Sequence, residues 1–448
     1  KKKKNLFELT NFILGIIFLS IFGFILYLFS INNLFVNLAI LFFGIYLFYL
    51  KSYETKIHDY YVNILILIFI FSGLIISKTH EDFIPYHFPF IEIVTNSKLI
   101  FGLGKVEINY IYTPLISYIQ KIFVLPLLDY KMIHVPIFLI YFSIISFLLK
   151  EIFFNKKINL IFLFLLIFYL TKFNRLSEFG YDYLVAFLIS IIVIYLISDL
   201  KNNNNKINYF LYCLIFIYAL SLKNITIFFI PILFAIIFFS KKIYVKNLKL
   251  YFKENKLLLV VCLFLICIYI TENFLKSGCF FNFIIFTCLE NKIIFWSVNN
   301  SEIIDISNHV RLWAKGFYHQ QEHLLLNKDN YMNGINWVSN WYRVHFNYKV
   351  LEYISQLLLV FIICYSISLS KNRIVEKFKD FNTLLLISSL ISILLWFFVL
   401  PQLRFGSGLI IIFFVILLSK LIGINDRIFK SKKIILSFIY FSLIIFNI

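Results

Sequence analysis

Glu81 and Asp82 are adjacent carboxylates directly after an apolar run, followed by Tyr86 and His87. A carboxylate at a membrane–water boundary can take a proton from an acceptor hydroxyl. It can also hold a divalent cation beside a phosphate. Tyr86 and His87 stand close enough in sequence to position such groups. The ordinary reading of the pair is the solvated end of a helix. A second polar cluster, Asn174-Arg175-Leu176-Ser177-Glu178-Phe179-Gly180-Tyr181-Asp182, follows later. Its Arg175 is a planar fork suited to two phosphate oxygens. Glu178 and Asp182 are four apart and share a face in a helix. The competing reading is an Arg175–Glu178 salt bridge that only shapes a turn. Lys223 and Arg404 are isolated cations at the ends of apolar runs, and Arg404 lies in Pro401-Gln402-Leu403-Arg404-Phe405-Gly406. Either can clamp a lipid-linked phosphate or simply snorkel to headgroups.

Other candidates carry less chemistry. His319 and His323 have helical i, i+4 spacing, but the intervening Glu322 is misplaced for a zinc-protease pattern and no third ligand is evident. Four of the five tryptophans, Trp296, Trp313, Trp337 and Trp341, fall between residues 272 and 352. Trp337 and Trp341 are candidate platforms for a sugar face, the alternative being an interfacial aromatic belt. Cys279 and Cys288 stand close together on the same side and are expected to form a disulfide in an oxidising compartment. The alternative is two buried thiols in an apolar stretch.

The elements that position these residues are apolar runs. Of the 448 residues 61% are hydrophobic and 15% charged, a composition for a chain folded inside a bilayer. About thirteen runs are long enough to cross: 10–30, 34–50, 61–77, 133–149, 158–171, 183–198, 207–220, 225–240, 257–271, 353–369, 381–400, 407–419 and 434–448. The expected fold class is therefore an all-α polytopic transmembrane bundle, a single integral membrane domain over 1–448. Lys1–Lys4 precedes Phe12–Phe29, which lacks a small-residue cleavage site and reads as a retained first span. With the N-terminus in the cytoplasm, inside loops collect 26 Lys and Arg and outside loops 16, although the inside loops total only about half as many residues as the outside ones. The reverse orientation would place the Lys241–Lys256 cluster outside, against the positive-inside rule. The net charge of +19 is then a matter of topology and anionic lipid, with no nucleic acid implied.

All the candidate residues fall on the outer side in this topology. Two long outer segments interrupt the spans. Residues 78–132 form an acidic loop whose second half, Thr113–Leu125, is apolar but broken by Gln120 and Lys121, and is expected to lie as a helix on the membrane surface. Residues 272–352 form a loop too long for a simple connection. No Lys, Arg, Asp, Glu or His lies near the middle of an expected span, which argues against an ion-coupled pump.

The clusters, in this order, resemble an uncharacterised family of bacterial polytopic membrane proteins. The resemblance is carried by His80-Glu81-Asp82 with Tyr86-His87-Phe88-Pro89-Phe90, then Phe101-Gly102-Leu103-Gly104. It continues through Arg175-Leu176-Ser177-Glu178-Phe179-Gly180 with Asp182, Ser277-Gly278-Cys279 with Thr287-Cys288, Asn336-Trp337-Val338-Ser339-Asn340-Trp341, and Leu403-Arg404-Phe405-Gly406. Glu81 and Phe90 stand where that family usually has Asp and Tyr. The family in turn looks like the GT-C glycosyltransferases, which keep an acidic motif in an early outer loop and use polyprenyl-phosphate sugars. Here the acidic loop follows the third span rather than the first. The resemblance implies transfer of a sugar from a polyprenyl-linked donor to a glycan or lipid acceptor on the outer face of a bacterial inner membrane. Glu81 or Asp82 would be the base, Arg175, Lys223 and Arg404 the donor-phosphate ligands, with a divalent cation as an optional cofactor. The alternatives are an oligosaccharide-repeat polymerase or ligase, or a flippase or carrier of lipid-linked sugars.

Single cysteines placed at 81, 178, 300 and 404 are expected to react with an impermeant thiol reagent from outside intact cells. Those at 54, 203 and 376 are expected to stay protected. Protection at 300 would overturn the orientation, because that position lies in the longest outer segment.

Overall fold

The structure, a computed structural model, describes residues 2–31, 33–52, 64, 67–68, 71–72, 81–125, 130–153, 159–171, 173, 181–201, 209–244, 252–282, 284–289, 293–319, 327–369 and 379–422. Among them there is no strand, and one isolated antiparallel bridge pairs Cys279 with Cys288. The helices of nine or more residues in α-form are α1 (Lys2–Leu28), α2 (Leu34–Ser52), α3 (Phe88–Asn96), α4 (Val135–Phe153), α5 (Leu160–Thr171), α6 (Asp182–Lys201), α7 (Tyr209–Leu222), α8 (Ile230–Tyr244), α9 (Lys256–Ser277), α10 (Asn300–Ala314), α11 (Leu351–Leu369), α12 (Lys379–Val399) and α13 (Leu403–Ile422).

Seven helical stretches among the described residues are long and apolar enough to cross a membrane: Glu8–Leu28, Tyr130–Phe153, Asp182–Asp199, Lys256–Ser277, Val338–Ser366, Phe381–Val399 and Leu403–Ile422. Four shorter apolar helices, Leu34–Leu50, Leu160–Thr171, Tyr209–Leu222 and Asn224–Phe238, accompany them. The expected span at 434–448, and most of that at 61–77, lies outside the described residues. The protein is thus an all-helical membrane protein.

Which helices sit inside the bundle follows from their apolar faces. α6 and α13 are apolar on every side and buried nearly throughout, as a central helix must be. α13 packs against α5, α6, α11 and α12. α9 and α12 instead leave apolar residues exposed, Leu257, Val260 and Leu263 on one and Ile387, Leu390 and Leu394 on the other. Lipid satisfies such faces without cost.

Polar contacts mark the two ends of the bundle. At one end Lys150 meets Glu8 at 3.1 Å, Thr10 meets the Tyr195 hydroxyl at 2.9 Å, and the Tyr212 hydroxyl donates to Asp199 at 2.8 Å. At the other lie Asp82, Asp182, Lys223 and Arg404. Successive helices therefore alternate in direction, as short connections require.

Two expected segments differ from their sequence reading. Residues 113–125 do not form one surface helix. They form a four-residue helix, Ser117–Gln120, running into a 3₁₀ turn, Lys121–Phe123, packed against α1 and α4. Gln120 and Lys121 point inward rather than to water. The reason is hydrogen bonding: the Gln120 amide donates to the Ile133 carbonyl at 3.1 Å and accepts from the Tyr181 hydroxyl at 2.9 Å. The outer segment expected at 272–352 is also shorter. α9 runs on to Ser277, and a helix resumes at Val338 through a π-helical stretch, Tyr342–Val350, whose polar residues hide it from hydropathy.

Burial pulls the Lys121 ammonium down to about 7. In the unfolded chain the lysine holds its proton to far higher pH, so the unfolded state binds more protons between those values. Folding stability from this group is therefore least below pH 7 and rises as pH increases above it. Replacing Lys121→Met is expected to raise Tm, and by more at pH 6 than at pH 10. An equal gain at both pH values would show that the lysine is not titrating in the folded state.

Candidate functional site

Three helix ends converge at this second end of the bundle. Asp182 opens α6, where a carboxylate complements the positive end of the helix dipole. Lys223 follows the last residue of α7, where a cation complements the negative end. The two pair, with Lys223 Nζ 2.5 Å from Asp182 Oδ1. Arg404 lies in the first turn of α13, where the dipole opposes its charge. Two carboxylates offset this. Asp82 Oδ2 lies 3.6 Å from Arg404 Nη1, and Asp182 Oδ2 lies 3.9 Å from Nε. Aromatic rings complete the setting: the guanidinium carbon is 4.5 Å from the Trp313 ring centre and 5.0 Å from that of Phe405. Lys223 Nζ is 5.3 Å from the same Phe405 ring.

Small residues bring these ends together. Gly408 on α13 and Ala186 on α6 each lie one turn inside Arg404 and Asp182. A Cβ on Gly408 would stand 2.7 Å from the Ala186 Cβ, so only glycine permits this approach. Gly406 lies flat against the Trp396 ring, with no space for a side chain. Trp396 Nε1 donates to the Gln402 carbonyl at 3.0 Å and Trp341 Nε1 to the Pro401 carbonyl at 2.5 Å. These bonds hold the turn that presents Arg404.

Asp82 is delivered by the segment that precedes α3. It precedes a π-helical turn, Phe83–His87, without a side-chain capping bond, and the turn continues into α3 with proline tolerated in the first turn. Phe90 of α3 and Tyr118 lie 4.8 and 5.8 Å from Lys276 Nζ. Lys276 is buried, paired with Glu272 at 2.5 Å, and donates to the Thr113 carbonyl at 2.9 Å. This pair fastens the acidic segment to the end of α9. Tyr86 hydrogen-bonds Asp82. Its phenol is pushed well above its ordinary value, first by burial and then by the charge of Asp82, so it stays neutral and donates. His87 packs 4.3 Å from Tyr86 and 4.9 Å from Tyr181, ring centre to ring centre.

The sequence candidates divide accordingly. Asp82, Tyr86, Asp182, Lys223 and Arg404 converge. Glu81 is exposed, while its neighbour Asp82 faces Arg404. Arg175 and Glu178 lie outside the described residues. Trp337 and Trp341 are buried in a small core with Leu312, Phe317, Tyr331 and Val350, and offer no face to a sugar. Trp337 Nε1 is taken by the Gly334 carbonyl at 3.1 Å. Trp313, on α10, is the tryptophan that meets the charge cluster, and nothing in the sequence distinguishes it from the other three. The Glu272–Lys276 pair has a legible signal, the i, i+4 spacing just beyond an apolar run. Cys279 and Cys288 are disulfide-bonded, their Cα atoms 3.8 Å apart.

The arrangement can hold an anion between Arg404 and Lys223 beside a carboxylate able to accept a proton. Asp82 and Asp182 are already matched in charge by two fixed cations, so this donor set does not call for a divalent ion. Among the described residues no group of three His, Cys, Asp or Glu is placed to hold one.

Fold and site together define a polytopic helical membrane protein with a charged cluster at one end of its bundle. The chain belongs to the family described as Domain of unknown function (DUF8201), whose profile matches residues 1–411. No curated protein and no solved structure matches it.

The close approach of α6 and α13 has a measurable cost for any added carbon. Gly408→Ala is expected to lower stability by about 1–3 kcal/mol through overpacking. Gly15→Ala in α1, where a Cβ would meet nothing within 4 Å, is expected to be neutral or stabilising, by up to about 1 kcal/mol. Thermal unfolding of the two variants in one detergent checks the difference.

Proposed function

We propose that the protein is a GT-C-like glycosyltransferase of about thirteen spans in a bacterial inner membrane, with its N-terminus cytoplasmic and its site on the outer face. It would move a sugar from a polyprenyl-phosphate carrier to a glycan or lipid acceptor. The observation that carries the reading is Asp82 Oδ2 at 3.6 Å from Arg404 Nη1, with Lys223 joined to the same cluster through Asp182. Both cations sit at helix ends, at the depth where the headgroup of a lipid-linked donor would arrive.

In this reaction Asp82 takes the proton of the acceptor hydroxyl, and the oxygen attacks the anomeric carbon. The bond from that carbon to the phosphate oxygen breaks, and the polyprenyl phosphate leaves with the electron pair. Arg404 and Lys223 stabilise the charge that develops on the leaving phosphate, and fixed charge of this kind is the main source of rate enhancement in such a transfer. Tyr86 holds Asp82 with its phenolic proton. For the donor to enter, Arg404 must exchange part of its pairing with Asp82 and Asp182 for phosphate oxygens. A half-exposed ion pair at more than 3.5 Å yields readily to such a competitor.

A carrier would need a polar path through the bundle. Two cavities inside it, one lined by Val193, Ile232, Asn382 and Val415 and one by Ile189, Phe216, Phe229 and Leu233, have volumes of about 20 and 10 Å³. Their walls are almost wholly apolar and neither admits a sugar. This favours chemistry at the outer end over passage.

Purified protein incubated with a panel of labelled polyprenyl-phosphate sugars and membrane acceptors is expected to transfer from one of them. Asp82→Asn is expected to lower the rate ~10²–10⁴-fold while the protein stays folded with a modestly lowered Tm, and Glu81→Gln to change the rate little. Full activity in Asp82→Asn together with loss in Arg404→Lys would redirect the reading to a polymerase or ligase. Transfer from no donor in the panel would remove it.

A further inference from the structure

The outer end of α9 bears a rigid, apolar loop. Gly278, at φ +76° in the left-handed region, ends the helix, and the Cys279–Cys288 bond closes the loop that follows. Its base is stapled from several directions. The Phe280 amide donates to the Thr287 carbonyl at 3.2 Å and the Phe281 amide to Thr287 Oγ1 at 3.1 Å. Asn282 accepts from Ser277 Oγ at 2.7 Å and donates to the Ile111 carbonyl at 2.8 Å. A loop pinned in this way has little freedom to fold Phe286 back against the protein. Yet Phe286 is 89% exposed, and in the turn that follows Phe295 is 79% and Ile293 70% exposed. In water, such a cluster of large apolar side chains is costly and marks a contact surface.

Position identifies the occupant. The exposed stripe of α9 that faces lipid, Leu257, Val260, Leu263 and Phe264, continues upward to Phe274, which stacks on Phe280 at 5.5 Å. α9 has 22 residues, about 33 Å of helix. That matches the hydrocarbon thickness of about 30 Å, so Ser277 stands at the outer boundary of the apolar layer. The loop is held within a few residues of that boundary by its disulfide. Trp296 packs behind it against Phe101 and Phe274, as an interfacial aromatic does. The Lys105 ammonium donates to the Phe295 carbonyl and so lies at headgroup depth, where it complements anionic lipid.

We infer that the disulfide-closed loop after α9, together with the turn that follows it, is an interfacial wedge, with Phe286 and Phe295 inserted into the outer leaflet of the bilayer. It anchors the outer segment to the membrane surface beside the end of α9, independently of any reaction the protein performs. The disulfide's role is to hold Phe286 pointing outward, where lipid rather than protein covers it, and the Lys105 bond to the Phe295 carbonyl fixes the following turn beside it.

The test uses the full chain in vesicles of phosphatidylethanolamine and phosphatidylglycerol. The photo-crosslinking residue p-benzoyl-phenylalanine replaces Phe286, Phe295, Leu263 or Asp305 in turn. Leu263 lies on the lipid stripe of α9, and Asp305 is exposed on α10. After irradiation, mass spectrometry is expected to find phospholipid adducts at 286 and 295 in yields like that at 263, and about tenfold above that at 305. A yield at both loop positions no higher than at 305 would overturn the inference. So would an adduct with the mass of a second chain, which would make the loop an interface between copies. A parallel measurement leaves the loop itself intact: brominated phospholipid should quench the native fluorescence, and Trp296→Phe should remove a clear part of that quenching. Quenching unaffected by Trp296→Phe would equally count against the wedge.

Discussion

The charged end of the bundle depends on the neutralisation of Arg404. A guanidinium in the first turn of α13 meets the positive end of the helix dipole. It is held there because Asp82 and Asp182 reach it from two other elements, and because the Trp313 and Phe405 rings lie against it. Asp182 also takes Lys223, so four charges from four parts of the chain share one balance. Removing any one leaves an uncompensated charge at the membrane boundary. The cluster therefore constrains how the acidic segment, α6, α7 and α13 can sit relative to one another.

That balance is made possible by packing deeper in the bundle. The crossing at Gly408 and Ala186 lets two parallel helices present their first turns side by side. The Trp396 and Trp341 indoles then secure the turn before α13 by bonding its carbonyls. On the other flank, the buried Glu272–Lys276 pair binds the acidic segment to α9. A buried pair of this kind contributes little net stability against an apolar substitute, but breaking it by removing one partner is costly. Its value here is positional: Lys276 reaches Thr113, Phe90 and Tyr118 at once and so sets the register between α3, the 113–123 turns and α9.

The same pairing of polar groups explains the interior. Ser20 meets the Tyr218 hydroxyl at 2.8 Å, and the Tyr141 hydroxyl donates to the Tyr169 carbonyl at 2.9 Å. Such bonds tie neighbouring helices together where lipid provides no partner, while Ser190 and Ser388 bond back to carbonyls of their own helices. The interhelical bonds add specificity to contacts between helices whose apolar surfaces alone would pack in many ways.

Apolar periodicity and charge placement were enough to read the class of fold, because a bilayer demands continuous apolar helices and the chain cannot conceal them. They were also enough to name Asp82, Asp182, Lys223 and Arg404, since a charged residue beside a span is conspicuous. Sequence could not say which carboxylate of the Glu81–Asp82 pair turns inward. That follows from the π-helical turn after Asp82 and from the docking of α3 on Lys276, which are long-range contacts. It could not distinguish Trp313 from Trp337 and Trp341, because all four tryptophans between residues 272 and 352 look alike until the segment folds around its own core. It read 113–125 as a surface helix broken by Gln120 and Lys121, because a polar residue in an apolar stretch looks like an interruption unless its partners are known. Only the tertiary structure supplied Tyr181 and the Ile133 carbonyl, and with them the reason Gln120 turns inward.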